Sequence, residues 1–163
     1  MRFLPAAALF VLSGWGPLRA QAPLRAAADS QTVVFVCEHG TVKSVVALAY
    51  FRQLARERHL PIRAISRGTA PDASVPALVR DGLRHDGLTL GPFSPARFTQ
   101  ADLTTAIAVI SFDLPSVAAI VGGRVPTAGW DGLPAVSVNY RVARDSIRKR
   151  VTRLADSLDR VMR

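Results

Sequence analysis

The chain has 163 residues, 49% of them hydrophobic, a net charge of +9 from 21 Lys and Arg against 12 Asp and Glu, and one cysteine. That is the length of one ordinary domain, and the apolar content excludes a chain held unfolded by its charge. A single cysteine excludes an internal disulfide framework, an all-cysteine zinc cage and a redox relay between two thiols of the same chain.

Met1-Arg2 precedes an apolar run from Phe3 to Leu12, broken by Ser13-Gly14-Trp15-Gly16-Pro17 and followed by Ala20-Gln21-Ala22. One cation, an apolar core and small residues at the cleavage positions make residues 1–22 a secretory signal peptide, cut after Ala22 or, as the second choice, after Ala20. The run is shorter than the roughly 18 to 20 apolar residues of a spanning helix, which sets a cleaved signal above the alternative, an uncleaved anchor, and no stable membrane insertion is expected after cleavage. The expected location is periplasmic or secreted. Loss of Arg2 and Arg19 leaves a basic mature chain. Its cations are scattered without interleaved aromatics, so no nucleic-acid partner is expected.

Residues 23–31 read as a short flexible lead and residues 32–163 as the domain. Thr32 to Val36 is a continuous β-branched and aromatic run, the pattern of a parallel strand buried on both faces. Cys37 to Lys43 suits a turn, and Ser44 is placed to cap a helix bearing Val45, Leu48, Phe51, Leu54 and Ala55 on one face. Pro61 to Ser66 reads as a second strand, Gly68 to Asp72 as its exit loop, and Val75 to His85 as a second helix. A short turn at Gln100 to Asp102 precedes a third buried strand, Ala106 to Phe112. Leu114 to Val121 is a short helix, and Gly129 to Pro134 a loop near a fourth short strand. Ile147, Val151, Leu154, Leu158 and Val161 mark a long closing helix. Arg144, Arg148, Lys149, Arg150 and Arg153 are read as its solvated face. Strands alternating with helices predict an α/β domain with a parallel sheet and right-handed crossovers.

In open parallel sheets ligands bind beyond the carboxyl ends of the strands, where Cys37 sits. A thiol in a loop entering a helix N-terminus meets unpaired N–H groups that favour the thiolate and can hold an oxyanion over it. The alternative is a buried structural cysteine, which an exported chain has reason to avoid.

Val33-Val34-Phe35-Val36-Cys37, five further residues, a cation and Ser44 resemble the signature of the low-molecular-weight protein tyrosine phosphatases, a family that includes arsenate reductases. Ser66 to Pro71 resembles its Ser-Ala-Gly-Thr segment, and Val75 to Gly87 its second helix. Ile107 to Asp113 resembles its third strand, and Trp130 with Arg144 to Arg148 its closing segment. The resemblance implies a four-stranded parallel sheet of order 2-1-3-4 with flanking helices, and attack by cysteine on phosphorus or arsenic. By position, Cys37 matches the nucleophile, Lys43 the phosphate-binding Arg and Ser44 the hydroxyl bonded to the thiolate. Glu38, His39, Gly40, Thr41 and Val42 complete the phosphate-binding loop.

Three departures stand out. Lys43 is a point charge where the family's Arg offers a planar fork to two phosphoryl oxygens, which lowers the expected catalytic power. Gly40 replaces an Asn of unusual backbone conformation, which glycine adopts freely. The family's general acid is an Asp before Pro, but an ungapped match places Pro134-Ala135 there, leaving Asp131 as the nearby carboxylate. Asp131 is then either an acid reaching in or a solvated turn residue. Glu38 would raise the thiol pKa and repel a dianion if it pointed inward, and is expected to point outward because of the cost of desolvating a carboxylate. His39 either pairs with the thiolate or a ligand, or faces water. His59 and His85 are read as helix-end residues, and neither a metal nor a cofactor is expected.

The expected function is a cysteine-dependent phosphomonoesterase acting on a phosphorylated substrate through a phosphocysteine intermediate. The alternatives are an arsenate reductase served by an external thiol, a non-catalytic oxyanion binder, and a thiol redox sensor. Nothing in the sequence fixes the oligomeric state.

Overall fold

Three six-residue strands, β1 (Thr32–Cys37), β2 (Arg63–Gly68) and β3 (Ala106–Ser111), and the short β4 (Thr127–Gly129) form one sheet in the order β2-β1-β3-β4. All its pairings are parallel, with Cys37 beside Gly68 and Val36 beside Ser111. This is the predicted four-stranded sheet of order 2-1-3-4. The computed structural model describes residues 31–163, so the predicted signal peptide, residues 1–22, and residues 23–30 of the predicted lead lie outside the described residues.

Every residue of β1 is buried, as its unbroken apolar run requires of a central strand with both faces covered. Val33, Phe35 and Cys37 face the larger core, built with α1 (Lys43–Glu57), α2 (Ala77–His85) and α4 (Tyr140–Met162). Val34 and Val36 face a smaller core with Val117 and Val121 of α3 (Ser116–Val121). Phe35 and Phe51 are fully buried and meet edge to face at 5.9 Å. Each contributes about 1.5 to 3 kcal/mol through burial. Phe112 and Trp130 extend this cluster, with ring centroids 5.6 Å apart and planes at 88°. They pin the chain after β3 and after β4 to the central strand, which positions the 130–139 segment beside the carboxyl end of the sheet.

Four local expectations are corrected. Ser44 does not cap α1: the cap residue is Val42, which makes no side-chain cap bond, and Ser44, the second residue of the helix, is buried with its hydroxyl turned toward sulfur. The second helix starts at Ala77 rather than Val75, because Pro76 (φ −57°, ψ 146°) is extended and a residue preceding proline resists helix. Val161 lies past the core and is exposed, although Ile147 and Val151 on the same stripe are fully buried. Arg144 is not on the solvated face: it is largely buried and paired with Asp86, whereas Arg148, Lys149 and Arg153 are exposed. Asn139 caps α4 by accepting from the Val142 amide at 3.1 Å.

Candidate active site

The turn from Cys37 to Lys43 joins the carboxyl end of β1 to the N-terminus of α1. Gly40 reverses the chain with φ +64°, and a Cβ there would lie 2.7 Å from the Gly68 nitrogen. A Cβ on Gly68 would in turn lie 2.9 Å from the Glu38 carbonyl oxygen. The absence of both side chains lets the turn lie directly on the end of β2. Beneath it, Ser44 Oγ is 3.0 Å from Cys37 Sγ, and Ser66 Oγ is 2.8 Å from Ser44 Oγ and 3.0 Å from the Gly40 carbonyl oxygen. Both serines are buried, and Cys37 is 7% exposed. A proton donated by Ser66 to Ser44 leaves the Ser44 hydroxyl hydrogen free to stabilise a thiolate.

The exit loop of β2 takes up the carbonyls of the turn. Thr69 N–H donates to Cys37 at 3.3 Å, Ala70 N–H to Glu38 at 2.8 Å and Asp72 N–H to His39 at 3.1 Å. Thr41, fully buried, donates its hydroxyl to Asp72 Oδ2 at 2.8 Å. Among the described residues, no amide from Glu38 to Lys43 donates to a protein acceptor. The turn therefore spends its acceptors on its neighbours and keeps its donors, at the positive end of a 15-residue helix.

Lys43 leaves this turn sideways. Its ammonium donates to Asp113 Oδ2 at 2.6 Å and to the Leu133 carbonyl at 3.0 Å. Asp113 follows β3 in the left-handed region (φ +54°) and also accepts from the Gly132 amide at 2.9 Å. Burial works against the Asp113 charge, but the bonds from Lys43 and Gly132 and the nearby cations Lys43 and Arg150 hold its carboxyl below the usual carboxylate range. At neutral pH the tie is thus intact, and an incoming anion must share Lys43 with Asp113. Asp113→Asn is expected to weaken the tie by about 0.7 kcal/mol, so that inorganic phosphate protects Cys37 from alkylation at roughly threefold lower concentration. Unchanged protection would mean that Lys43 does not engage the anion.

A cavity of about 300 Å³ opens over the sulfur. Cys37, Glu38, His39, Val42 and Lys43 line it; Gly40 and Thr41 are buried away from it, and Ser44 lies below. The far wall is Phe112, Asp113 and the 135–137 segment, none of which were singled out as site residues. Their available signal was placement: Asp113 stands at the carboxyl end of a central strand. Asp131 is not among the lining residues: its carboxylate lies against Gly129, and its carbonyl accepts from Arg150. Glu38 is 65% exposed, and its Oε2 is 3.8 Å from His39 Nε2. The other ring nitrogen, Nδ1, is 3.2 Å from Asp72 Oδ1. A larger groove of about 590 Å³, bordered by Arg52, Arg56 and Arg63, lies at the opposite end of the sheet and contains none of these groups.

Solved structures of similar fold carry the same strand order past this point into known classes. YfkJ from Bacillus subtilis superimposes with a TM-score of 0.73 at 20% identity, covering 81% of this chain and 96% of its own. A low-molecular-weight phosphotyrosine phosphatase from Vibrio cholerae matches with a TM-score of 0.68 at 18% identity, covering 79% and 97%. A thioredoxin-dependent arsenate reductase from Corynebacterium glutamicum matches with a TM-score of 0.67 at 20% identity, covering 82% of this chain and 64% of its own. No family profile and no curated protein matches the sequence. The fold is that of the low-molecular-weight phosphotyrosine phosphatases and of the arsenate reductases built on the same sheet. Within that fold, the motif residues Cys37, Lys43 and Ser44 stand at the turn after the first strand.

Proposed function

We propose that this protein is a cysteine-dependent phosphomonoesterase of the low-molecular-weight phosphatase type, exported by residues 1–22. The observation that carries the reading is the juxtaposition of Cys37 with the Ser44 hydroxyl beneath a turn whose amides lack protein acceptors. In this reading the Cys37 thiolate attacks phosphorus while the unpaired amides bind the phosphoryl oxygens. The ester P–O bond breaks, and water then cleaves the phosphocysteine to return the thiolate and release inorganic phosphate. The testing experiment is steady-state turnover of an aryl phosphate by the mature chain, with Cys37→Ser as the control. Turnover that depends on Cys37 supports the reading, and turnover that survives the substitution sinks it.

A second reading, a non-catalytic oxyanion binder, is favoured by one observation: Lys43 is held by Asp113 and the Leu133 carbonyl instead of standing free over the turn. It predicts protection of Cys37 from alkylation by phosphate or arsenate without turnover of any ester. Reduction of arsenate would require an external thiol, since the chain supplies one sulfur.

A further inference from the structure

The phosphomonoesterase reading leaves the leaving group without a proton donor, and the cavity narrows the choice. Position 134, where the resemblance places a carboxylic acid, is a proline, and the next residue, Ala135, supplies only a methyl group to the cavity wall. Asp113 is fixed as a carboxylate by Lys43 and the Gly132 amide, and Lys43 is occupied by the same tie. Asp131 lies outside the lining. Glu38 is 65% exposed and turned to water, away from the sulfur. The remaining titratable group on the wall beside the nucleophile is His39, and an imidazole is the side chain that both gives and takes a proton near neutrality.

His39 is also held in a way its solvent exposure alone would not require. Asp72 Oδ1 lies 3.2 Å from Nδ1, while Asp72 itself is fixed by the Thr41 hydroxyl at its other oxygen and by its own amide bond to the His39 carbonyl. The contact is an ion pair and not an aligned hydrogen bond; a carboxylate beside Nδ1 favours the tautomer with its proton on that nitrogen, leaving Nε2, 3.8 Å from Glu38 Oε2, to exchange one. The charged groups around the ring are Glu38 and Asp72, with Lys43 and Asp113 across the cavity.

We infer that His39, oriented by Asp72, is the proton donor to the leaving group in this site, taking the place of the absent carboxylic acid. This rests on the phosphomonoesterase reading. As Cys37 sulfur bonds to phosphorus and the P–O bond breaks, the departing oxygen takes the proton from His39 Nε2. In the second step, water attacks the phosphocysteine and gives its proton back to Nε2, the P–S bond breaks, and Cys37 leaves as thiolate. His39 is thus a catalytic residue and Asp72 a positioning residue.

The test is kcat/KM across a series of aryl phosphates of rising leaving-group pKa, for wild type, His39→Gln, Asp72→Asn and Asp131→Asn. His39→Gln is expected to lose about 100-fold or more on the poorest leaving groups and only a few-fold on the best, steepening the dependence. Asp72→Asn should steepen it in the same sense by a smaller amount, which a loss of structure alone would not do. Retained protection of Cys37 by inorganic phosphate shows that the His39→Gln turn is intact. A slope unchanged in His39→Gln, or one that steepens only in Asp131→Asn, overturns the assignment while leaving the phosphatase reading in place. Absence of turnover by wild type across the whole series instead removes that reading, and this inference with it.

Discussion

Gly40→Ala is expected to destabilise the domain by about 2 to 3 kcal/mol and to abolish phosphate protection of Cys37. Two effects combine. An L side chain at φ +64° costs about 1 to 2 kcal/mol from backbone sterics alone. The new Cβ would also lie 2.7 Å from the Gly68 nitrogen and 3.0 Å from two further backbone atoms, none of which can rotate away. Relief requires lifting the turn off β2, which breaks the amide bonds from residues 69, 70 and 72 that hold its carbonyls. Gly91→Ala separates the two effects, since Gly91 has φ +63° and nothing within 4 Å of its Cβ position. Chemical denaturation should show the second variant losing only the conformational part, with Cys37 still protected. Equal losses in both would mean that the turn yields to the methyl group.

Asp86→Asn is expected to cost about 3 kcal/mol, the scale of removing one partner from a buried ion pair. Asp86 caps α2 and receives the Tyr50 and Tyr140 hydroxyls, each at 2.9 Å, and the Arg144 guanidinium. Its side chain is 8% exposed and that of Arg144 16%, so the variant leaves a cation short of its counter-charge inside the domain. The other carboxylate beside Arg144 belongs to the 65% exposed Asp145, whose Oδ1 lies 2.7 Å from Nε without an aligned hydrogen bond. Tyr140 packs on Gly82, where there is no room for a Cβ, so the hub also fixes α2 against α4. Burial opposes the Asp86 charge, yet Tyr50, Tyr140 and Arg144 together hold its carboxyl below the usual carboxylate range. Burial and Asp86 raise both tyrosines, which remain donors. The stabilisation is therefore complete above the ordinary carboxylate pKa and is lost as pH falls through the depressed folded value. Stability measured against pH should fall on acidification in wild type, with that component absent from Asp86→Asn. Parallel curves would refute the assignment.

Contiguity decided what the sequence could reveal. The strand from Thr32, the turn after it and the helix behind are consecutive, so a buried β-branched run followed by a cysteine and a helical period was enough to place the nucleophile. The sheet order followed from the resemblance and agrees with the observed pairing. Groups that meet only through folding left no such trace: Lys43 and Asp113 are 70 residues apart, and Tyr140 and Asp86 are 54 apart. Arg144 looked like one of five surface cations because charge, and not its place one residue from buried Ala143, dominated the reading. Ser44 illustrates a local preference overridden by a tertiary one, since the hydroxyl that suits a helix cap is used at the sulfur instead. Asp131 is close to the expected acid position along the chain, but Gly132 (φ +68°) turns the backbone between it and the 135–137 wall.

The depth of Cys37 also governs how the protein ages in air. At 7% exposure beneath the turn, its sulfur cannot approach that of a second molecule, because a disulfide needs α-carbons within roughly 7 Å. A small oxidant such as peroxide can still enter the cavity and convert the thiolate to a sulfenic acid. Where a neighbouring cysteine would normally trap that species as a reversible disulfide, this chain has none. Rescue must come from a thiol small enough to follow the oxidant in, and without one the sulfur proceeds to the sulfinic acid and does not return.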